Sequence, residues 1–336
     1  MTNKPWILLV THAGDFYTID RVQEELEQQG YPTLRFNTDE FPLKAKITQR
    51  ISTDQSKEVW IEADGKRINT REIGGAWIRK VFSAKFDVEM DPLHLKGCIK
   101  ESSEVVRILL SCLDGMPVIN QFEAGMHAEN KFTQQRYARK CGLQVPETLI
   151  TNDPEEARAF YHAHQGQVIA KMLTSLSTSM DGKAPIVYTN ALREEDLEDL
   201  DSLCYCPMVF QPNIPKAYEL RLIYVGGKTY TGKIGVANTT SDGKDDWRKS
   251  AVQPTSVWEH YEVPEYLNKQ IHQLMTELRL SYGAFDFICD PEGTYHFLEV
   301  NPSGEWGMLE RDLNLPIAKA IADTLVQKVE QEALLY

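Results

Sequence analysis

Residues Tyr295 to Leu309 read "YHFLEVNPSGEWGML", with Glu299 and Asn301 two residues apart on an apolar strand that runs into a Pro-Ser-Gly turn. A strand alternates its faces, so Leu298 and Val300 are expected to point one way and Glu299 and Asn301 the other. Upstream, "YGAFDFICD" is a second strand, and the two are joined by the turn sequence "PEGT". A hairpin closed by Asp290 and Tyr295 sets Asp286 directly across from Glu299, with Asn301 one pleat further on. Two opposed carboxylates repel unless something positive sits between them. Magnesium, which takes oxygen ligands and shares its shell with nucleotide phosphates, fits that need. A solvated polar face is the alternative, and spacing alone leaves both open.

The length of 336 residues sets a prior of two or three domains with a sizeable core. A net charge of −13 argues against nucleic acid or an anionic membrane as the main partner. The opening apolar run "WILLV" is too short for a signal peptide, and no stretch approaches the ~20 apolar residues of a membrane span. The cysteines at 98, 112, 141, 204, 206 and 289 are scattered, and Cys204-Tyr205-Cys206 lacks C-x-x-C spacing. The expectation is a cytoplasmic protein with reduced thiols.

"WILLVTH", "TIDRVQEELEQQG" and "PTLRFNTD" read as strand, helix and strand, the opening of a parallel, doubly wound sheet. With Gly14 alone and no G-x-G-x-x-G, a nicotinamide cofactor is not expected. Short strands at "AKITQRI", "EVWIEAD" and "GAWIRKVF" and a helix over 94–113 complete a first domain near residue 120. Beyond it come one helix over "AENKFTQQRYARKCGL", a strand and Pro-started helix in "VPETLITNDPEEARAFYHAH", and strands "QVIAKML" and "PIVYTN" around the polar loop "TSLSTSMDGKA". "CPMVFQPNIP" is a strand running into a linker. "YELRLIYVGGKTYTGKIGV" is a hairpin turning at Gly226-Gly227, and helices are expected over 264–280 and 316–332.

Several cations join the acidic residues in a fixed order. Lys131 begins a helix, Lys171 ends an apolar strand, Arg221 lies in "ELRL" and Arg248 in "DWR". Each alone reads equally as a snorkelling or surface charge. No Ser-His-Asp or Cys-His pattern supplies a covalent nucleophile.

In that order the chain resembles the ATP-grasp ligases, and within them those that macrocyclise ribosomally made peptides of the microviridin type (graspetides). The motifs that carry the likeness are "THAGDFYTIDRV", "RFNTDEFP", "YCPMVFQ-NIPK-ELR", "DWR" and "LEVNP-GEWGMLERDL". The likeness is nearer to the lactam-forming (omega-amide) member of the microviridin pair than to the lactone-forming one. It implies an α/β and α+β chain with the ATP-grasp fold and an N-terminal Rossmann-like pre-grasp domain. The expected domains are a pre-grasp domain at 1–120, a central grasp subdomain at 121–206 and a C-terminal grasp subdomain at 207–336.

The same resemblance implies ATP and Mg2+ as cofactors. By its motifs, Asp286, Glu299 and Asn301 are the metal ligands, and Lys131 and Lys171 approach the ATP phosphates. "TSLSTSMDGKA" closes over the triphosphate, Met208 and its neighbours meet adenine, and Gln211 and Asn213 lie near the ribose. Pro212 stands where the family more commonly has an acidic residue, which makes Asn213 a substitute. Arg221, Arg248 and Lys171 are the catalytic cations, stabilising charge on the phosphoryl group and acyl phosphate. Arg79, Glu219, Glu305 and Trp306 are placed toward the substrate. Glu305 is a candidate to take a proton from an incoming ammonium; Trp306 and Met308 read equally well as packing, and Glu310–Arg311 as a surface pair. In "WIRKVF", Arg79 and Lys80 are adjacent cations at the first domain's edge that could meet carboxylates of the peptide core, with a solvated strand end the default for Lys80.

The implied partner is a precursor peptide with a helical leader, cradled by the Glu219–Ile234 hairpin "ELRLIYVGGKTYTGKI", and the implied assembly is a homodimer. An ATP-grasp ligase of a small amino acid or protein terminus shares every nucleotide residue. A non-catalytic ATP-binding protein is disfavoured because Asp286, Glu299, Asn301, Lys131 and Lys171 are intact.

Overall fold

The computed structural model describes residues 4–53, 57–173, 189–235 and 258–334. β1 (Trp6–Thr11), α1 (Thr18–Gln28) and β2 (Thr33–Asn37) form the expected β-α-β opening. A meander of β3 (Lys46–Ile51), β4 (Lys57–Ala63) and β5 (Lys66–Asn69) follows, then β6 (Ile73–Ile78), α2 (Pro92–Ser111) and β7 (Val118–Ile119). The first sheet runs β2-β1-β6-β7 with every pair parallel. The chain leaves β1 on one side for β2 and returns on the other for β6. The carboxyl ends of β1 and β6 therefore flank the point where strand order reverses.

The single helix expected after residue 128 is two, α3 (Phe122–Glu129) and α4 (Lys131–Lys140). Asn130 sits between them with an extended backbone, and its side chain accepts from Thr133 N at 3.0 Å. An Asn that satisfies a helix N-terminus in this way starts a new helix in preference to continuing an old one.

β8 (Leu149–Thr151), α5 (Pro154–Ala163), β9 (Val168–Lys171), β10 (Asn190–Ala191), a 3-10 stretch over Glu194–Tyr205, and β11 (Met208–Pro212) make the second unit. Its antiparallel sheet is ordered β10-β9-β11-β8. Most of the strand expected at 185–190 and the whole of "TSLSTSMDGKA" lie outside the described residues.

β12 (Tyr218–Val225), β13 (Lys228–Gly235), β14 (Glu259–His260), α6 (Glu265–Glu277), β15 (Tyr282–Cys289), β16 (Tyr295–Asn301), α7 (Gly307–Leu313) and α8 (Ile317–Ala333) complete the chain. The antiparallel sheet is ordered β14-β13-β12-β15-β16. Its β12–β13 turn holds Gly226 at φ 53° and Gly227 at φ 94°, the positive pair that a tight hairpin of matching twist demands.

The β15–β16 hairpin closes one residue earlier than its turn sequence suggests. Cys289 lies opposite Tyr295, and Asp290 N donates to Thr294 O at 3.1 Å. A bulge at Leu298 then adds one residue to β16 and restores Asp286 opposite Glu299. Phe297, instead of Leu298, therefore joins Val300 in the core beneath Phe285 and Phe287.

The other face of the sheet, with Ile223, Val225 and Ala284, packs on Ile321 and Leu325 of α8, which also meets Ile7, Leu9 and Trp77 of the first sheet. One helix thus cements the first and last sheets. Among the described residues, no helix is long and apolar enough to cross a membrane.

Candidate active site

Antiparallel register places Arg221 of β12 opposite Asp286 of β15, and Asp286 opposite Glu299 of β16. The three form a row across the sheet, on the face that carries Ile223 and Ala284 into the shared core. Arg221 Nη1 donates to both Asp286 oxygens at 2.9 Å, while its Nε and Nη2 donate to the carbonyl of Glu305 at 3.3 and 2.9 Å. Burial pushes the Arg221 guanidinium down, and Asp286 more than offsets it.

From the far side, Lys131 at the start of α4 donates to Glu299 Oε2. The two opposed carboxylates are thus each matched by a cation from outside the pair. α4 is fixed to the edge strand by Gln134, whose Nε2 donates to Val300 O at 2.7 Å and whose Oε1 accepts from Val300 N at 3.1 Å.

The loop after Asn301 is held as firmly. Asn301 Oδ1 accepts from Ser303 N at 2.8 Å, and the buried Asn120 donates to Pro302 O at 3.2 Å. A Cβ on Gly304 would lie 2.4 Å from Ala284 Cβ and 3.0 Å from Arg221 Nη2, so only glycine lets this loop lie against the sheet.

The second sheet pairs Lys171 with Val209 and Gln211 with Ile169. Gln211 is buried and donates to Thr148 Oγ1 at 2.8 Å. Met208 packs at the edge of the cluster formed by Phe160, Leu200 and Phe210.

Residues 6–125 match the family model described as the MvdD pre-ATP grasp domain. Among solved structures, the chain is 38% identical to macrocyclase MdnB from Microcystis aeruginosa MRC, covering 96% of this chain and 99% of that one, with a TM-score of 0.82. It is 30% identical to macrocyclase MdnC of the same organism, bound with precursor peptide MdnA, over 96% and 99% of the two chains with a TM-score of 0.84. The chain belongs to the ATP-grasp macrocyclases of ribosomally made peptides. A Chryseobacterium gregarium ATP-grasp ligase associated with such peptides, in complex with ADP and a leader and core peptide, is 33% identical over 96% of this chain and 97% of that one, TM-score 0.86. No curated protein matches the chain.

In this ATP-grasp macrocyclase, Arg221, Asp286, Glu299 and Lys131 stand in one row, with Asn301 two residues beyond Glu299 on β16, opposite Ala284. Lys171, Met208 and Gln211 share the neighbouring sheet, and Asn213 follows it, its N–H donating to Gln167 O at 2.9 Å. Arg248 lies outside the described residues.

The residues placed toward a substrate divide. Trp306 is wholly buried, packed near Tyr17 and among the residues around α8, which is the packing reading of its position. The loop expected around it is instead the start of α7, which turns Leu309 and Leu313 inward. Glu310 accepts from Ala318 N at 2.8 Å and Arg21 Nε at 3.2 Å, so it ties α7 to α8 and α1, while Arg311 pairs with Asp312. Glu219 accepts from Lys216 at 2.9 Å.

Arg79 is buried: Nε lies 2.8 Å from Asp15 Oδ2 and Nη2 donates to Glu305 Oε2 at 2.6 Å. Lys80 also donates to Glu305, so it is not a solvated strand end. Burial raises the Glu305 carboxyl, but Arg79 and Lys80 hold it below the usual range, which makes it a poor base for an ammonium.

Gln134 and Asn120 carry structural roles that no quoted motif marks, and Asp15 lies in "THAGDF" without a role assigned to it there. Only Gln134 leaves a signal there, three residues after Lys131 and so on the same helix face.

Among the described residues, no three His, Cys, Asp or Glu side chains converge on one point. Asp286, Glu299 and Asn301 present only oxygen, the donor set a hard divalent cation takes while keeping several waters, so these residues fit magnesium.

Proposed function

We propose that this protein joins side chains of a ribosomally made precursor peptide at the expense of ATP. A carboxylate is a poor electrophile because its leaving group is oxide. Its oxygen attacks the γ-phosphorus of ATP, which releases ADP and leaves an acyl phosphate. A lysine amine of the same peptide then attacks the acyl carbon, phosphate departs, and a lactam remains. A serine or threonine hydroxyl in the amine's place gives a lactone. Likeness to the lactam-forming relatives favours the amide.

The observation that carries this reading is the Arg221–Asp286–Glu299–Lys131 row inside a macrocyclase fold. Asp286, Glu299 and Asn301 would hold magnesium, which neutralises the repulsion between ATP oxygens and the attacking carboxylate. Lys131 and Lys171 offer ammonium donors to phosphate oxygens, and backbone groups around Met208 with Gln211 and Asn213 take the base and ribose. Arg221 holds both Asp286 oxygens and anchors the Glu305 carbonyl, so its first contribution is positioning. Arg248 is assigned to charge on the transferring phosphoryl group. No covalent nucleophile is needed, because positioning and electrostatics carry the rate.

The partner is a precursor peptide with a helical leader. We assign the enzyme to the cytoplasm, as a homodimer. The domain limits at residues 120 and 206 follow the same reading.

Intact-mass spectrometry of the precursor encoded beside this protein, incubated with enzyme, ATP and magnesium, tests the proposal. The expected result is loss of one water per ring, absent without ATP. ADP release with free amino acids and no change in the peptide's mass would replace it with a small-substrate ligase.

A further inference from the structure

Two salt-linked carboxylates meet where the first sheet reverses its strand order, and they are not equivalent. Asp15, in the loop after β1, is 4% exposed and accepts from Thr11 Oγ1 at 2.5 Å and Thr18 Oγ1 at 3.1 Å while flanking Arg79 Nε. That half of the cluster is sealed, with Arg79 itself 1% exposed. Glu305, on the loop after Asn301, is 40% exposed and takes Arg79 Nη2 and Lys80, a residue 23% exposed. That half opens to solvent.

Loops after three strands converge here. Asp39 accepts from Ala13 N at 2.8 Å and lies 3.2 Å from Lys85, so the walls of the crevice hold their own charges in pairs. In open parallel sheets, ligands bind in such a crevice beyond the carboxyl ends of the strands.

We propose that this crevice is a seat for an acidic side chain of the peptide core, with Arg79 and Lys80 as donors and Glu305 as the resident carboxylate that an incoming one displaces. The inference rests on the peptide-ligase reading.

The exchange is close to neutral in charge. Asp15, Arg79, Lys80 and Glu305 balance, and one carboxylate replaces another on the same two donors. Glu305, 40% exposed, regains water as it leaves, and the arriving carboxylate takes its place on the buried Arg79, so no charge is left unpaired. Arg79 cannot follow it outward, because Asp15 and the carbonyl of Ser303, 3.4 Å from Nη1, keep it in place. The seat is therefore preformed, which lowers the cost of binding.

Its position suits the chemistry as well. The carbonyl of Glu305 is held by Arg221, which at the same time holds Asp286, so a group on the seat lies beside the end of the proposed metal site.

A double-mutant cycle between enzyme and peptide tests the seat without depending on turnover. Two fluorescently labelled precursors share the leader; one keeps its acidic core and the other has every core Asp and Glu replaced by Asn and Gln. Wild-type enzyme should bind the acidic core about ten-fold more tightly, the scale of one charge-assisted contact. Lys80→Met should shrink that ratio to about two-fold with the fold retained by circular dichroism, and Lys80→Arg should restore it. Glu305→Gln should widen it beyond about ten-fold, since the resident competitor has lost its charge.

An unchanged ratio in Lys80→Met would overturn the seat. So would a wild-type ratio near one, or a Glu305→Gln variant that shrinks the ratio as Lys80→Met does, because the bridge would then be structural. A chain that shows the expected ratios yet forms no cross-links with ATP would sink the ligase reading and keep the seat. One that binds neither precursor would remove both.

Discussion

Two clusters of this molecule have the same composition, an arginine, a lysine, an aspartate and a glutamate, and behave differently. In the row on the five-stranded sheet, the carboxylates Asp286 and Glu299 face each other while Arg221 and Lys131 stand outside them. In the crevice of the first sheet the order alternates: Asp15 and Glu305 share the Nε/Nη2 edge of Arg79, and Glu305 lies between Arg79 and Lys80. The first arrangement concentrates negative charge at its centre and suits a cation. The second holds a carboxylate between two cations and suits a carboxylate. Order along the row, more than composition, decides what each can receive.

The largest effect should come from neutralising the centre of the row. Asp286→Asn and Glu299→Gln should each lower peptide cross-linking by at least about a thousand-fold, the scale of losing a charge-stabilising group, with the fold retained by circular dichroism. Normal activity in both would remove the metal assignment.

The second contrast is in stability. Arg79→Met strands the buried Asp15 carboxylate and should cost about 3–5 kcal/mol in thermal or denaturant unfolding. Lys131→Met breaks a pair in which each side chain is 30% exposed, and should cost roughly 1 kcal/mol or less. Equal losses would mean that the two clusters are equally buried in solution.

The smallest effect concerns pH. Burial raises the Asp15 carboxyl, but Arg79 with Thr11 brings it below its ordinary value in the folded state. Its stabilising contribution is therefore complete above the unfolded carboxyl range of about 4 and disappears as pH falls through the lower folded value. Asp15→Asn should flatten the acid limb of a stability–pH curve in that window, measured by urea unfolding between neutral and acid pH. An acid limb as steep as wild type would assign the acid sensitivity to other carboxylates.

Much of the row is legible in the sequence, because antiparallel pairing is arithmetic. Once the turn between Asp290 and Tyr295 is recognised, Asp286 has to fall near Glu299. The closing pair differs by one residue, and the bulge at Leu298 returns the difference. Alternation alone does not foresee that bulge, because Phe297 and Leu298 are both apolar. Lys131 announces itself as a cation at a helix start, but its partner does not.

Trp306 shows the opposite case. "GEWGMLERD" follows the proposed metal ligands directly and leaves substrate contact and packing equally open, and the chain becomes α7 and buries its tryptophan. The cost of leaving a large aromatic in water outweighs the Gly-flanked sequence around it.

Residues close along the chain dictate to one another the β-α-β opening, the Gly226-Gly227 turn and the paired strands with Asp286 and Glu299 across from each other. The order of motifs that marks an ATP-grasp chain is likewise written in the sequence. Long-range packing alone brings Arg79 to Glu305 across 226 positions, and sets Arg221 on both Asp286 and the Glu305 carbonyl. It also makes Gln134 and Asn120 lock the strand and loop that present Asn301. Those contacts depend on which faces of the sheets α8 brings together. That choice is made by the burial of the whole apolar surface, and no local pattern encodes it.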